Sequence, residues 1–163
     1  MLTVREAHAR VIAAFSPLPS ETVSVAEAAG RVLAVSPKAR LTQPPADLSA
    51  MDGYAVRAAD VPAAPATLTL VGHAPAGGSY DQALKPGEAV RIFTGGPLPM
   101  GADSIVIQED TKADGACITI LEAPRLGRHI RKAGLDFSAG DTPLQAGCTL
   151  TTRDLALAAA MNH

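Results

Sequence analysis

The stretch that best indicates the fold runs from residue 44 to residue 56 and reads Pro44-Pro45-Ala46-Asp47-Leu48-Ser49-Ala50-Met51-Asp52-Gly53-Tyr54-Ala55-Val56. Two adjacent prolines impose an extended course on the backbone. The Asp-Gly pair at 52–53 is typical of a tight turn, and the residues after it favour a strand. We therefore predict a stiff arm that ends in a turn and leads into a β-sheet, with the Asp52 carboxylate held at the turn.

The composition of the 163-residue chain favours many short elements over a few long ones. It contains 14 glycines and 13 prolines, which punctuate the sequence with turns. Hydrophobic residues make up 47%, yet only 3% of the residues are aromatic and there is no Trp. The core must therefore be built from small aliphatic side chains. The length suffices for one ordinary domain or two small ones.

Charge and hydropathy exclude two classes of partner. The 14 Lys and Arg residues are balanced by 16 Asp and Glu residues, a net charge of −2, and a chain without a basic excess is a poor nucleic-acid binder. Because no run of about 18 apolar residues is present, we predict no membrane span. Charges interrupt the first residues, so no signal peptide is predicted either. Cys117 and Cys148 fit no metal-binding spacing, and we interpret them as reduced thiols of a cytoplasmic protein.

Helices are predicted at both ends of the chain. Thr3 and Glu6 have the spacing of a capping box, and an apolar stripe follows that should be buried. The stripe consists of Val4, Ala7, Val11, Ile12 and Phe15. A last helix should begin at Thr151 or Thr152, with Asp154 in its first turn.

Between these helices the sequence predicts about seven short strands, and hence an α+β fold that is mainly β. One strand is expected over 31–35, after a short helix over 25–29. The run 104–107 is apolar throughout, as in a fully buried strand, and we expect it to pair with 117–121 as a hairpin. The other predicted strands are 54–56, 67–71, 88–93 and 129–131.

Asp52 is the first candidate for chemistry. A carboxylate that is fixed at a turn between a rigid arm and a strand suits the binding of a metal ion or of a ligand hydroxyl. The residues alone leave an alternative, in which the side chain only satisfies an Asx-turn within its own loop.

The loop Thr94-Gly95-Gly96, which follows a predicted strand, is a second candidate. Two glycines would let backbone N–H groups approach an anion, and the Thr94 hydroxyl would add a donor. The alternative is a plain turn without a ligand.

A basic segment between residues 127 and 134 is the third candidate. Arg128 and Arg131 could each hold a phosphate group in bidentate fashion. Alternatively, the segment is a solvated basic loop or forms ion pairs with Asp136 and Asp141.

Taken together, four blocks of the sequence resemble the molybdopterin molybdenumtransferases, the MoeA family, whose animal relative is the E domain of gephyrin. The first and most specific block is the stretch 44–56. The others follow in the family's order: Arg91-Ile92-Phe93-Thr94-Gly95-Gly96-Pro97-Leu98-Pro99, then Gly101-Ala102-Asp103-Ser104-Ile105-Val106 with Glu109, then Gly127, Ile130, Arg131, Gly134, Asp136 and Gly140. Where the family usually has Ala after Thr-Gly, this chain has Gly96, which we expect to loosen the loop.

The resemblance implies the fold of the family's N-terminal region: short coiled or bifurcated sheets, an inserted small β-barrel-like domain and helices at both ends. It places a discontinuous linker domain, with the N-terminal helix, at 1–43 and 128–163, and the inserted domain at 44–127. Family members also have a catalytic α/β domain and a C-terminal β domain, which are absent here. We expect the chain to be an N-terminal half that is inactive alone; the alternative is a non-catalytic, stand-alone binding or scaffold module.

For function, the resemblance implies Mg²⁺-dependent insertion of molybdenum from molybdate into adenylylated molybdopterin, with release of AMP. Asp52 and Thr94 match family positions that reach into the active-site cleft, so they are the predicted catalytic residues, and Asp52 is the predicted metal ligand. The predicted cofactor-binding residues are Ser49, Arg91, Gly95 and Gly96. The implied partners are a second subunit in a homodimer, the molybdopterin adenylyltransferase and the molybdoenzymes.

Overall fold

The computed structural model describes residues 2–163 and divides the chain into two compact units. The β unit comprises Lys38–Pro143 with Asn162; the terminal unit comprises the residues up to Pro37, Leu144–Met161 and His163. Both units are therefore discontinuous in sequence. The predicted domains, 1–43 with 128–163 and 44–127, remain predictions, since compactness alone does not define a domain.

The β unit contains eight short strands among the described residues. In chain order they are β1 (Leu48–Ser49), β2 (Gly53–Val56), β3 (Ala66–Ala74), β4 (Glu88–Ile92), β5 (Ser104–Ile107), β6 (Thr111–Asp114), β7 (Cys117–Ile120) and β8 (Ile130–Arg131). Six of them form one sheet in the order β5-β2-β4-β3-β7-β6, and β1 pairs with β8. The large sheet is curled like half a barrel, which confirms the prediction of a mainly β fold.

The position of β2 between β4 and β5 creates a meeting point for three loops. β2 is antiparallel to both neighbours, and Gly53 lies opposite Ile92 on one side and Ile107 on the other. The start of β2 therefore coincides with the ends of β4 and β5. As a result, the residues just before β2 and those just after β4 and β5 come together at one end of the sheet.

Side chains of β2 alternate between two apolar clusters, one on each face of the sheet. Tyr54 and Val56 belong to the first cluster and Ala55 to the second. The largest fully buried side chains are aliphatic, among them Ile92 and Ile105, as the composition predicts. Packing on both faces makes β2 a rigid support for the loop that precedes it.

The predicted hairpin between 104–107 and 117–121 is wrong. β5 pairs with β2 instead, whereas β7 pairs with β6 and β3. The segment Thr111–Asp114 between them is itself a strand, β6, and the turn between β6 and β7 is at Gly115 (φ 58°). The apolar run of β5 is paired by a strand about fifty residues earlier in the chain, a long-range contact that local patterns do not encode.

The terminal unit contains both α-helices, α1 (Val4–Ala13) and α2 (Thr152–Ala160). The capping box predicted at Thr3 is present at the N-terminus of α1, and α2 begins at Thr151, one of the two predicted caps, which also forms a capping box with Asp154. In each box the threonine hydroxyl accepts from the N–H three residues on, and the acidic side chain there accepts from the threonine N–H. Local sequence is therefore sufficient to start both helices.

Two other predictions for this unit fail in part. The predicted helix over 25–29 is a single 3-10 turn, Val25–Glu27. The predicted strand over 31–35 is wrong, since this segment forms only one isolated bridge, between Val32 and Thr149. Residues 147–150 form a few backbone hydrogen bonds with this segment but no continuous ladder. The β propensity of residues 31–35 is therefore not sufficient to form a strand, because no neighbouring strand pairs with them.

The apolar stripe of α1 is not buried, contrary to the prediction. Val4 is 88% exposed and Phe15 is 74% exposed, and no residue of α1 is buried. Helical periodicity predicts which side chains share a face, but it does not specify what covers that face.

Among residues 2–163, no helix is long and apolar enough to cross a membrane. Cys117 and Cys148 are free thiols, with Cys117 exposed, which agrees with their interpretation as unpaired cysteines.

Candidate functional site

Asp52 and Thr94 lie side by side where the loop before β2 meets the loop after β4. Oδ1 of Asp52 accepts hydrogen bonds from the Thr94 backbone N–H at 2.7 Å and from the Thr94 hydroxyl at 2.8 Å. The Asx-turn alternative is therefore wrong, because the carboxylate bonds to a residue 42 positions further along the chain. Both predicted catalytic residues thus form one pair, and both are exposed.

Gly53 sets the backbone position of this pair. A Cβ added at Gly53 would lie 2.0 Å from the carbonyl oxygen of Val106, far inside van der Waals contact. Glycine in a strand is typical of such close backbone approach. Asp52 therefore stands one residue before a position at which no side chain fits, because the backbones of β2 and β5 approach closely there.

The Asp52 carboxyl group is held in its ionised form. Hydrogen bonds from the Thr94 N–H and then from the Thr94 hydroxyl keep the pKa of Asp52 below its usual range, and the positive charge of Arg91 adds to the effect. Among residues 2–163, no donor contacts Oδ2 of Asp52. The pair thus presents a fixed anion with one oxygen bonded to the protein and one oxygen open to a ligand.

The Thr94-Gly95-Gly96 loop uses all three of its backbone amides within the protein. The N–H of Thr94 donates to Asp52, that of Gly95 to the Ser49 carbonyl at 2.9 Å, and that of Gly96 to the Phe93 carbonyl at 2.8 Å. Gly95 has φ +81°, a conformation that favours glycine. This geometry favours the plain-turn alternative over an amide cradle for an anion, and the ligand contacts predicted for Gly95 and Gly96 stay predictions.

Gly96 fits its position closely rather than loosening the loop. A Cβ there would lie 2.8 Å from the Ala74 carbonyl oxygen, and the Gly96 carbonyl accepts from the Ser49 N–H at 2.8 Å. Ser49 itself is 1% exposed, and its hydroxyl donates to the Met51 carbonyl at 2.5 Å. The Ser49 side chain therefore shapes the turn just before Asp52; its predicted contact with a ligand stays a prediction.

Arg91 lies opposite Tyr54 in the pairing of β2 with β4, beside the same turn. Its Nη1 donates to the Gly53 carbonyl at 3.2 Å, and its Nη2 donates to Oε1 of Gln108 at 2.6 Å. Its guanidinium carbon is 5.1 Å from the centre of the Tyr54 ring and 4.9 Å from that of Phe93, distances at which cation–π attraction acts. The structure thus brings Arg91 to the Asp52 site but engages it with protein groups.

Gln108 is a site residue that the sequence analysis does not identify. Its backbone N–H donates to the Asp52 carbonyl at 3.1 Å, and its side chain accepts from Arg91. It begins a single 3-10 turn, Gln108–Asp110, directly after β5. A polar residue at the end of an apolar strand is a weak signal in the sequence, and only the pairing of β5 with β2 places it beside Asp52.

The proline arm before Asp52 is anchored by the basic segment. Asp47 accepts from Nζ of Lys132 at 2.7 Å and from the N–H of Ala133 at 2.9 Å. The bond from Lys132, and then that from Ala133, lower the pKa of the Asp47 carboxyl. In the pairing of β1 with β8, Ser49 lies opposite Ile130. The arm is therefore tied to β8 and to the residues after it.

The arginines of the basic segment are paired with carboxylates. Arg131 contacts Asp136 at 3.4 Å, and Arg128 contacts Glu122 at 2.6 Å. Asp141 instead accepts from the N–H of Ser138. The ion-pair alternative therefore describes this segment better than phosphate binding does, although the partner of Arg128 is not one that we predicted.

No group of three or more His, Cys, Asp or Glu side chains among residues 2–163 is arranged to hold a metal ion. Asp52 could supply one ligand through Oδ2. Mg²⁺ commonly takes one or two carboxylates and completes its shell with water and substrate phosphates. The residues present thus fit one ligand position of a Mg²⁺ ion, and the described residues do not gather a metal centre of their own.

These features define a class of protein: a mainly β module with helices at both ends, which presents a fixed carboxylate–threonine pair at one end of a curled sheet. The model of the MoeA N-terminal region (domain I and II) matches residues 2–162, nearly the whole chain. The chain therefore belongs to the MoeA family and corresponds to this N-terminal region.

Curated relatives carry the name molybdopterin molybdenumtransferase. The protein of Nostoc sp. is 39% identical over 145 residues, which cover 86% of this chain and 33% of the relative. Molybdopterin molybdenumtransferase 2 of Mycobacterium tuberculosis is 41% identical over 169 residues, which cover 99% of this chain and 41% of the relative. The chain thus spans about a third to two-fifths of the length of these relatives.

Solved structures share the fold. The crystal structure of the molybdopterin biosynthesis moeA protein from Pyrococcus horikoshii OT3 matches with a TM-score of 0.80 at 34% identity, over 87% of this chain and 38% of that one. A second crystal structure, also of a molybdopterin biosynthesis moeA protein from Pyrococcus horikoshii, matches with a TM-score of 0.81 at 32% identity, over 93% of this chain and 40% of that one. These matches confirm the predicted fold class.

Proposed function

We propose that the chain supplies one side of the active site of a molybdopterin molybdenumtransferase, which inserts molybdenum from molybdate into adenylylated molybdopterin and releases AMP. The observation that carries this proposal is the hydrogen-bonded pair of Asp52 and Thr94, exposed at the point where three loops converge. Membership of the MoeA family and the names of the relatives support it.

In this proposal Asp52 acts through Oδ2, because Oδ1 is occupied by Thr94. Oδ2 would hold or orient Mg²⁺, directly or through water. When bound, Mg²⁺ would supply charge neutralisation at the phosphate groups of the adenylylated substrate. Fixing Oδ1 at two points removes rotation of the carboxylate, so that little ordering remains to be done when the ligand binds.

In this proposal the Thr94 hydroxyl acts toward the ligand as a hydrogen-bond acceptor and not as the donor that the sequence analysis predicts. Because that hydroxyl donates its proton to Asp52, Oγ1 has only lone pairs to offer to a ligand. It is therefore suited to accept from an N–H or O–H of the pterin rather than to donate to a phosphate oxygen.

The remaining proposals about the whole protein rest on the family alone. We propose a homodimer in the cytoplasm that receives its substrate from the molybdopterin adenylyltransferase and delivers its product to molybdoenzymes.

The test is substitution of the pair in the complete gene product. Asp52→Ala and Thr94→Val should each lower cofactor formation from adenylylated molybdopterin, molybdate and Mg²⁺ by at least about tenfold, or roughly 1.4 kcal/mol of transition-state stabilisation. The far-UV circular dichroism should stay close to wild type because both side chains are exposed, and the thermal midpoint should fall by only a few degrees, for the loss of one or two hydrogen bonds.

Asp114→Asn is the matched control, since it alters another exposed acidic residue, at the end of β6, and should leave activity unchanged. Full activity in Asp52→Ala would remove this residue from the site. A wild-type gene product that binds the substrate but never forms cofactor would instead favour the scaffold module.

A further inference from the structure

The turn that carries Asp52 is held from behind by two residues on neighbouring strands. The carbonyl of Asp52 accepts from the N–H of Gln108 at 3.1 Å. The next carbonyl along the chain, that of Gly53, accepts from Nη1 of Arg91 at 3.2 Å. Asp52 is exposed, so burial does not fix its orientation. These two hydrogen bonds to the backbone orient the segment that carries it instead.

The two supporting residues are also bonded to each other. Nη2 of Arg91 donates to Oε1 of Gln108 at 2.6 Å, which closes a ring of hydrogen bonds running from Asp52 through Gln108 and Arg91 to Gly53. One member of the ring comes from β4 and the other follows β5, the two strands that flank β2. A movement of the turn would therefore break contacts on both sides at once.

Arg91 is itself engaged by several protein groups in this arrangement. Both of its terminal nitrogens donate to protein oxygens, and the rings of Tyr54 and Phe93 lie within 5.1 Å of its guanidinium carbon. The fork geometry of arginine suits two simultaneous acceptors, which a lysine ammonium does not match. A side chain held in this way is poorly placed to reach out to a ligand.

We propose that Arg91 and Gln108 are positioning residues that keep the Asp52 carboxylate on Thr94, and that Arg91 acts on the ligand through Asp52 rather than by contact. This inference rests on the proposed function, because it concerns the Asp52 carboxylate that would act in the proposed active site. It reassigns Arg91 from a predicted ligand contact to a support, and it adds Gln108 to the site.

The test is nuclear magnetic resonance of the ¹⁵N-labelled 163-residue chain without substrate. The reporter is the Thr94 amide, which donates to Asp52 Oδ1. In Gln108→Met, which keeps the size of the side chain but removes its oxygen, the Thr94 amide proton should move upfield. Its hydrogen exchange should accelerate at least about fivefold through local opening of the turn.

Arg91→Lys should have a similar effect although it keeps the positive charge, because one ammonium cannot bridge Gly53 and Gln108 in the same way. Arg91→Ala should have at least as large an effect. The amides of β3 and β7 should keep their wild-type shifts and exchange rates, which separates loss of positioning from loss of fold. Arg153→Ala, in α2, is the control and should leave Thr94 unchanged.

Two results would overturn the inference. The first is an unchanged Thr94 amide in Gln108→Met and Arg91→Lys. The second concerns a titration of the wild-type chain with inorganic phosphate or molybdate. If the Arg91 Nε–H signal shifts while the Thr94 amide signal stays in place, Arg91 contacts the ligand directly. Because the Thr94 readout needs no turnover, failure of the inference can be distinguished from failure of the proposed function.

Discussion

At the scale of single residues, the site depends on two glycines that leave no space for a side chain and on two aspartates that bond to distant parts of the chain. At Gly53 and at Gly96, an added Cβ atom would lie too close to a backbone carbonyl oxygen to be accommodated. Asp47 and Asp52 each accept two hydrogen bonds from distant parts of the chain. Local substitutions at these positions should therefore have effects that the neighbouring sequence does not predict.

Gly53→Ala should destabilise the β unit strongly. The new Cβ would lie 2.0 Å from the Val106 carbonyl oxygen and 2.9 Å from the Ile107 Cα, both backbone atoms that cannot move aside independently. We expect a loss of about 3 kcal/mol or more in the free energy of unfolding, at the upper end of overpacking effects, measured by urea denaturation.

Gly77→Ala is the comparison for this change. Gly77 has φ +74° and no atom within 4 Å of an added Cβ, so that variant should lose only the backbone strain, about 1–2 kcal/mol. Equal losses in the two variants would contradict the close approach of β2 to β5.

Lys132→Ala should alter the response of stability to acid through Asp47. Lys132 is the main cause of the lowered Asp47 pKa, and a carboxyl whose pKa is depressed in the folded state stabilises it above the unfolded pKa of about 3.9. That stabilisation disappears as the pH falls through the lower, folded value. The variant should therefore be less stable than wild type at pH 7, and the difference should shrink below about pH 4.

The measurement is the free energy of urea unfolding between pH 7 and pH 2, with the Asp47 carboxyl shift followed by ¹³C resonance. Lys112→Ala, which removes an exposed lysine from β6, serves as the control. A difference between Lys132→Ala and wild type that stays constant down to pH 2 would show that Asp47 is not the group involved.

At the scale of elements, helices and strands depend on different ranges of sequence. Both helices begin at a capping box formed within four residues, whereas every strand of the large sheet except β6 pairs with at least one strand far away in the chain. Helix starts can therefore be tested by changing single local residues.

Thr151→Ala should weaken the N-terminus of α2. Thr151 and Asp154 exchange hydrogen bonds that satisfy N–H groups at the start of the helix, and removal of such a cap costs about 1 kcal/mol. Amide exchange within α2 should accelerate about fivefold, as expected for a change of about 1 kcal/mol. Thr151→Ser keeps the hydroxyl and should remain near wild type; equal acceleration in both variants would exclude the capping hydroxyl as the cause.

At the scale of the whole molecule, the described residues supply one carboxylate–threonine pair in an exposed setting. Electrostatic stabilisation of a transition state is strong only where water is excluded and several groups converge. The relatives that carry the transferase name are longer, and this chain covers 33% and 41% of two of them.

We therefore expect no turnover from the 163-residue chain alone. Incubation with adenylylated molybdopterin, molybdate and Mg²⁺ should give no molybdenum cofactor above the protein-free background, measured by reconstitution of a cofactor-free molybdoenzyme. The complete gene product under the same conditions is the control. Cofactor formation by the chain alone would show that Asp52 and Thr94 suffice with the other residues described here.

Local sequence determined the parts of this protein that near neighbours can stabilise. The capping boxes, most strand positions and the bend that precedes β2 follow from residues within a few positions of each other. The sequence blocks around Asp52 and Thr94 also indicated the family. They identified these two residues as candidates, and the structure shows that the two are hydrogen-bonded to each other.

Only the tertiary structure decided which segments pair and which groups remain free. It paired β5 with β2, left the α1 stripe exposed, occupied the three amides of the Thr94 loop, and placed Gln108 behind Asp52. These outcomes depend on contacts between residues tens of positions apart, whose free energy arises from packing and hydrogen bonds of the assembled sheet. Periodicity and propensity describe a single segment, and so they carry no information about the partner that the segment will meet.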